Sequence, residues 1–157
     1  MDDLDDLLGE LSAVADAPTL LVACAFDGAL APEGTDRTEQ QSSEAINVLT
    51  ALPGTRVAVL SDLPHDEAAE LMFLSGAKGG ARIVAPADLA ALRTELGSAV
   101  LLVVDTGSVS LDAAGPGDLA VRVGGEHPRA WSVDDSGDVV EVLEELVALR
   151  RRHRAVV

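Results

Sequence analysis

Three carboxylates and one hydroxyl stand where chemistry could be done. Asp27 in "ACAFDGALAP", Ser61 and Asp62 in "VLSDLP", and Asp105 in "LLVVDTGS" each follow an apolar run at once. Sites in open α/β sheets form outside the carboxyl ends of the strands. A carboxylate at such a place can act as nucleophile, as general acid or base, or as a ligand for a hard cation. A serine hydroxyl can donate to an oxyanion.

The elements that must hold these groups follow from hydrophobic periodicity. Leu4, Leu7, Leu8 and Leu11 recur at helical spacing and predict an amphipathic helix over residues 1–14. Apolar runs of strand length lie at 19–26, 56–62, 81–85, 99–105 and 119–123. Between them the spacing predicts helices over 39–52, 64–76 and 86–97, with Pro at the start of the last two and Gly at their ends. A closing helix spans 137–153 with its basic residues at the favourable C-terminal end. Strands alternating with helices predict a three-layer, doubly wound parallel α/β sheet of Rossmann type. No internal repeat, low-complexity tract or linker divides the 157 residues, so one domain, 1–157, is expected.

Composition narrows the partners. Hydrophobic residues make up 48% and aromatic ones 2%, so the core must be aliphatic, as suits a covered parallel sheet. The formal charge of -16 argues against nucleic acid and anionic membranes as partners, and it repels phosphorylated substrates unless the field is locally reversed. The single cysteine excludes a disulfide framework, the acidic "MDDLDDLLGEL" is unlike a basic signal peptide, and no apolar run reaches bilayer length. A soluble, cytoplasmic protein is the expectation, with its oligomeric state left open.

"AFDGAL", residues 25–30, resembles the DxDGT(L) signature of the haloacid dehalogenase (HAD) superfamily of phosphohydrolases. Longer stretches, "LLVACAFDGALAP", "ALPGTRVAVLSD" and "LAVRVGGEHPRAWSVDDSGDVVEVLEEL", resemble its trehalose-6-phosphate phosphatase branch and occur in that family's order. The resemblance implies a HAD-like core and places Ala25 at the attacking carboxylate, Asp27 at the acid–base carboxylate and Ala29 at the following Thr. Ser61 matches the phosphate-binding hydroxyl, but Asp62-Leu63 replaces the usual Gly-Arg. The phosphate-neutralising Lys would align near Ala85–Ala87, where there is none. The acidic magnesium motif aligns with "VDTGSVS", so Asp105 matches its first Asp and Thr106 replaces the second. Residues 64–99 suffice only for a helix, a strand and a helix, so the resemblance implies a core without the family's cap domain.

What the resemblance implies is therefore a vestigial catalytic pair, Asp27 and Ser61, and a weakened Mg²⁺ site at Asp27 and Asp105. The leading expectation is a catalytically inactive, trehalose-phosphatase-like domain that binds or regulates, with a protein partner in trehalose or sugar-phosphate metabolism. Two alternatives stay open: a residual metal-dependent phosphohydrolase working through Asp27 on a sugar phosphate, and a purely structural subunit.

Each residue also has a plainer role. Asp27 suits a turn residue that satisfies loop amides beside Gly28. Ser61 or Asp62 suits the N-cap of the helix at Pro64. Cys24 should point into the core, away from the side shared by Ala25 and Asp27. "GAKGGAR", with the only lysine, Lys78, reads as a helix end and turn at the opposite edge of the sheet. "RRRHR" reads as a solvated helix end, Trp131 as a packing residue, and His65, His127 and His153 share no ligand spacing.

Overall fold

The computed structural model describes residues 3–97 and 99–156. The chain runs α1 (Asp3–Ala15), β1 (Leu20–Ala25), α2 (Gln40–Ala51), β2 (Thr55–Leu60), α3 (His65–Leu74) and β3 (Arg82–Val84). It continues through a 3₁₀ turn (Pro86–Asp88), α4 (Leu89–Glu95), β4 (Val100–Asp105), α5 (Ser108–Leu111), β5 (Leu119–Val123), β6 (Trp131–Val133) and α6 (Ser136–Val156). Among the described residues, 64–99 hold only α3, β3, the turn, α4 and the residues joining them, so no cap domain is inserted there.

All six strands are parallel, in the order β3-β2-β1-β4-β5-β6. Every residue of β1 is buried, which requires cover on both faces. Right-handed crossovers put helices of the β1-to-β3 half on one face and those of the β4-to-β5 half on the other. On the first face α6 packs between α1 and α2. On the second, α5 packs against β4, β5 and the 3₁₀ turn. There Arg93 of α4 grips Asp118 through two bonds, 2.5 and 2.8 Å, and Asp118 also accepts from Leu101 N.

The strand order reverses direction between β1 and β4, and that is where a crevice opens. Register fixes what stands at its rim. Ala25 pairs with Leu60, and Cys24 with Val104, so Ala25, Ser61 and Asp105 emerge at nearly the same level.

Several expectations change. Strand β6 and helix α5 were not anticipated, because three and four residues carry too little periodicity. Trp131 sits half-buried in that edge strand and packs against the core, as expected of it. The helix foreseen over 86–97 is divided into a 3₁₀ turn and α4. The N-terminal helix begins at the first described residue and ends at Ala15, and the last helix runs on to Val156.

The largest correction concerns "RRRHR". Arg151 and Arg152 are exposed, but Arg150 is fully buried. It continues the buried stripe of Val139, Val142, Leu143 and Leu146 along α6. Its guanidinium donates to Ala15 O at 3.0 Å, to Ala17 O, and twice to Thr55 Oγ1 at 2.8 and 3.1 Å. Carbonyls at the C-terminal end of a helix carry partial negative charge, which favours a cation there. One side chain thus ties α6 to the end of α1 and the start of β2.

Arg150→Met should lower unfolding free energy by about 3–5 kcal/mol, since it leaves buried acceptors without donors. Arg150→Lys should recover little, because an ammonium cannot span the same fork. Urea unfolding of both variants checks this; a loss under about 1 kcal/mol for Arg150→Met would contradict it.

Candidate functional site

The loop after β1 turns back on itself through main-chain bonds. Leu30 N donates to Ala25 O at 3.0 Å, Ala31 N to Phe26 O at 2.8 Å, and Gly28 N to Ala31 O at 2.9 Å. Gly28 takes φ +83, and a Cβ there would stand 2.6 Å from Thr106 Cγ2. Only glycine meets both demands: the left-handed backbone and the contact with the loop after β4. The two loops that flank the switch point are therefore pressed together.

Between the ends of β1, β2 and β4 lies an open pocket of about 580 Å³. Ala25, Asp27, Ser61 and Asp105 all line it, joined by Asp36 and Asp62. Four residues singled out at strand ends thus meet in one cavity. Asp36, from the long loop before α2, was missed; nothing in its local sequence distinguishes it from a turn residue. Pro86 lines the pocket at the end of β3, where the aligned lysine would have been. No Lys or Arg lines it among the described residues.

The carboxylates differ in what they are doing. Asp27 is exposed, and its carboxylate makes no hydrogen bond to the described residues, so the loop amides are satisfied by carbonyls and not by Asp27. Asp105 is 5% exposed and fully occupied. One oxygen accepts from Thr106 N at 2.6 Å and Gly107 N at 3.1 Å, and the other from Ser110 Oγ. It anchors the start of α5. Ser61 Oγ accepts from Leu63 N at 3.1 Å. Neither Ser61 nor Asp62 caps α3: the N-cap is Pro64, and no side chain bonds the helix amides. The helix begins too far beyond Ser61, whose oxygen is taken up by the turn at Leu63.

The arrangement can be tested for the Mg²⁺ that a HAD-like core implies. Magnesium takes near-octahedral oxygen ligands, usually with free carboxylates among them. Here the side chain at position 25 is a methyl group, and Asp105 would have to give up three donors to bind a cation. Among the described residues no three of His, Cys, Asp and Glu converge on one point. The residues present do not fit the ion.

Cys24 is completely buried behind the pocket, and its thiol is pushed up to about 12 by burial and, secondarily, by the charge of Asp105. Lys78 lies before β3 and does not line the pocket, and the turn that carries it follows α3 through Gly76 at φ +100. His127 bonds Asp112 at 3.0 Å, away from the pocket, and His65 is exposed. His153 lies where no side chain is described.

Neither the scan against protein-family models nor the search of curated proteins gave a match. Solved structures did match. A Legionella pneumophila protein assigned to the HAD superfamily of hydrolases, subfamily III A, aligns with a TM-score of 0.65 at 15% identity, over 96% of this chain and 93% of that one. The 3-deoxy-D-manno-octulosonate 8-phosphate phosphatase of Moraxella catarrhalis aligns with a TM-score of 0.63 at 14% identity, over 97% and 96%. A Vibrio cholerae protein assigned to the same phosphatase class gives 0.61 at 16% identity, over 90% of each chain. The chain has the HAD-like fold, and its likeness extends over nearly the whole of these proteins. At such identity the likeness describes the fold and leaves the chemistry to the site. No described helix is long and apolar enough to cross a membrane.

Two outcomes follow from this geometry. Gly28→Ala should cost about 1–3 kcal/mol from backbone strain alone, and more while Thr106 keeps its methyl group. Unfolding in a Thr106→Ser background should recover the second part, and a purely additive double mutant would show that the loops are not in contact. For Cys24 the folded pKa lies above the unfolded one, so its contribution is intact below about pH 9 and lost as pH rises toward about 12. Native protein at pH 8 should resist iodoacetamide while urea-unfolded protein is alkylated; fast labelling of the native state would contradict the burial.

Proposed function

We propose that this chain is a non-catalytic HAD-like domain that acts by binding. A single observation carries the reading: the pocket at the switch point offers Ala25 where an attacking carboxylate would stand, among carboxylates of which only Asp36 has a cation beside it, Arg37 at 3.4 Å in solvent. A phosphate dianion entering there meets Asp27, Asp36, Asp62 and Asp105. At short range each like charge opposes it by about 1 to 4 kcal/mol, depending on solvent access. Phosphoryl transfer depends on the opposite field, with positive groups around the transferred oxygens.

The trehalose-phosphatase resemblance of the sequence and the sugar-acid phosphatase names of two structural neighbours both suggest sugar-phosphate metabolism as the setting. The partner in this reading is a cytoplasmic protein of that metabolism, and the charge of -16 disfavours nucleic acid and anionic membranes. A residual hydrolase is the second reading. It is favoured by one observation, the unbonded Asp27 carboxylate facing the pocket.

Phosphate release separates them. Trehalose 6-phosphate, 3-deoxy-D-manno-octulosonate 8-phosphate and simple hexose phosphates should all remain intact with Mg²⁺. Ala25→Asp should gain no turnover, because the neutralising cation is still missing. Mg²⁺-dependent release by the native chain that disappears in Asp27→Ala would replace the binding reading with the hydrolytic one.

A further inference from the structure

A second groove has the opposite character. It lies between α2 and the turn after α3, measures about 840 Å³, and is lined by Arg37 and Lys78 against a single carboxylate, Glu44. Both pockets that border the switch point are lined by carboxylates without any Lys or Arg. On a chain of charge -16, two cations on one cleft set it apart from the pockets at the switch point.

The groove is built, and not merely open. Asn47 of α2 holds the turn at two points, donating to Gly76 O at 3.0 Å and accepting from Lys78 N at 2.9 Å. Thr38 N donates to Ser75 Oγ at 3.1 Å, and Thr38 Oγ1 shares a 2.5 Å bond with Ser43 Oγ. These bonds join the loop before α2, α2 itself and the end of α3 into one polar floor. The Lys78 backbone is thereby fixed, while its ammonium bonds none of the described residues. Arg37 is held only by its neighbour Asp36, through the carbonyl at 2.8 Å and a 3.4 Å ion pair in solvent. Exposed pairs of that kind contribute little and are readily exchanged.

We infer that this groove binds a small organic anion that carries hydroxyl groups. Charge selects the anion. The volume exceeds that of a bare inorganic ion and falls within the range of small-molecule sites. Eight of its eleven lining residues carry hydroxyl, amide or charged side chains, which gives a hydroxylated anion hydrogen-bonding partners along the groove. The inference does not rest on the reading of the switch-point pocket, since the two cavities share no residue.

Amide chemical-shift titration of the full chain tests it, with glycerol 3-phosphate and gluconate as the phosphorylated and carboxylated probes and sorbitol as the neutral one. At least one anion should bind with millimolar affinity or better, moving the amides of Thr38, Asn47, Ser75 and Lys78, while sorbitol moves none. Lys78→Gln and Arg37→Gln, both exposed substitutions that leave the fold intact, should each weaken binding by about tenfold. The phosphate or carboxylate class is given by whichever probe binds more tightly. Absence of binding by both anions, shifts confined to the switch-point loops, or affinity unchanged in both variants would overturn the inference.

Discussion

Arg150 is the fastening on which the base of the molecule depends. A parallel sheet joins its strands through crossovers, so the starts of neighbouring strands and the ends of the helices between them gather at one edge, each with main-chain groups to satisfy. In this chain the end of α1, the approach to β1 and the start of β2 all present acceptors at the same place, and one guanidinium from α6 bonds them together. Because that side chain comes from the last helix, the docking of α6 and the closure of this edge share the same bonds. Strand β1, held in register by this edge, delivers Ala25 and Asp27 to the opposite edge, where the pocket is.

Charge is unevenly distributed around the sheet. At the pocket edge, carboxylates are either left free, as Asp27 is, or put to structural use, as Asp105 is. Most cations are engaged elsewhere: Arg150 in the base, Arg93 bonded to Asp118 and Arg82 bonded to Glu95 at 2.7 Å, while Lys78 and Arg37, the partner of Asp36, line the groove beside α2. The likeness to solved structures extends to the fold, and what this chain does at its switch point is set by where its own charges fall.

Much of this was legible in the sequence. Alternating apolar runs and Pro-to-Gly helices were enough for the parallel sheet, and the rule that sites follow strand ends was enough to bring Asp27, Ser61 and Asp105 to one cavity. What each side chain does there was not legible. Whether Asp105 is free or bonded depends on Ser110, which lies in a four-residue helix that leaves no periodic trace. Asp36 reaches the pocket by the folding of a loop. Arg150 had a readable signal that the charge run obscured: it stands four residues after Leu146, on the same stripe as Val139 and Leu143, where a solvent-facing residue would be out of phase. Pro64, taken as the first residue of α3, is its cap, and Ser61 spends its oxygen on the turn at Leu63 instead of the helix amides.

The bonds of Asp105 set a cost on any other use of it. A carboxylate that bonds two amides and a hydroxyl is part of the scaffold, and releasing it to a ligand would unfasten the start of α5. An acid placed at position 25 would therefore enter a pocket whose neighbouring carboxylate is already engaged in holding the protein together. Occupancy of that corner of the pocket and stability of the fold would compete for the same two oxygens.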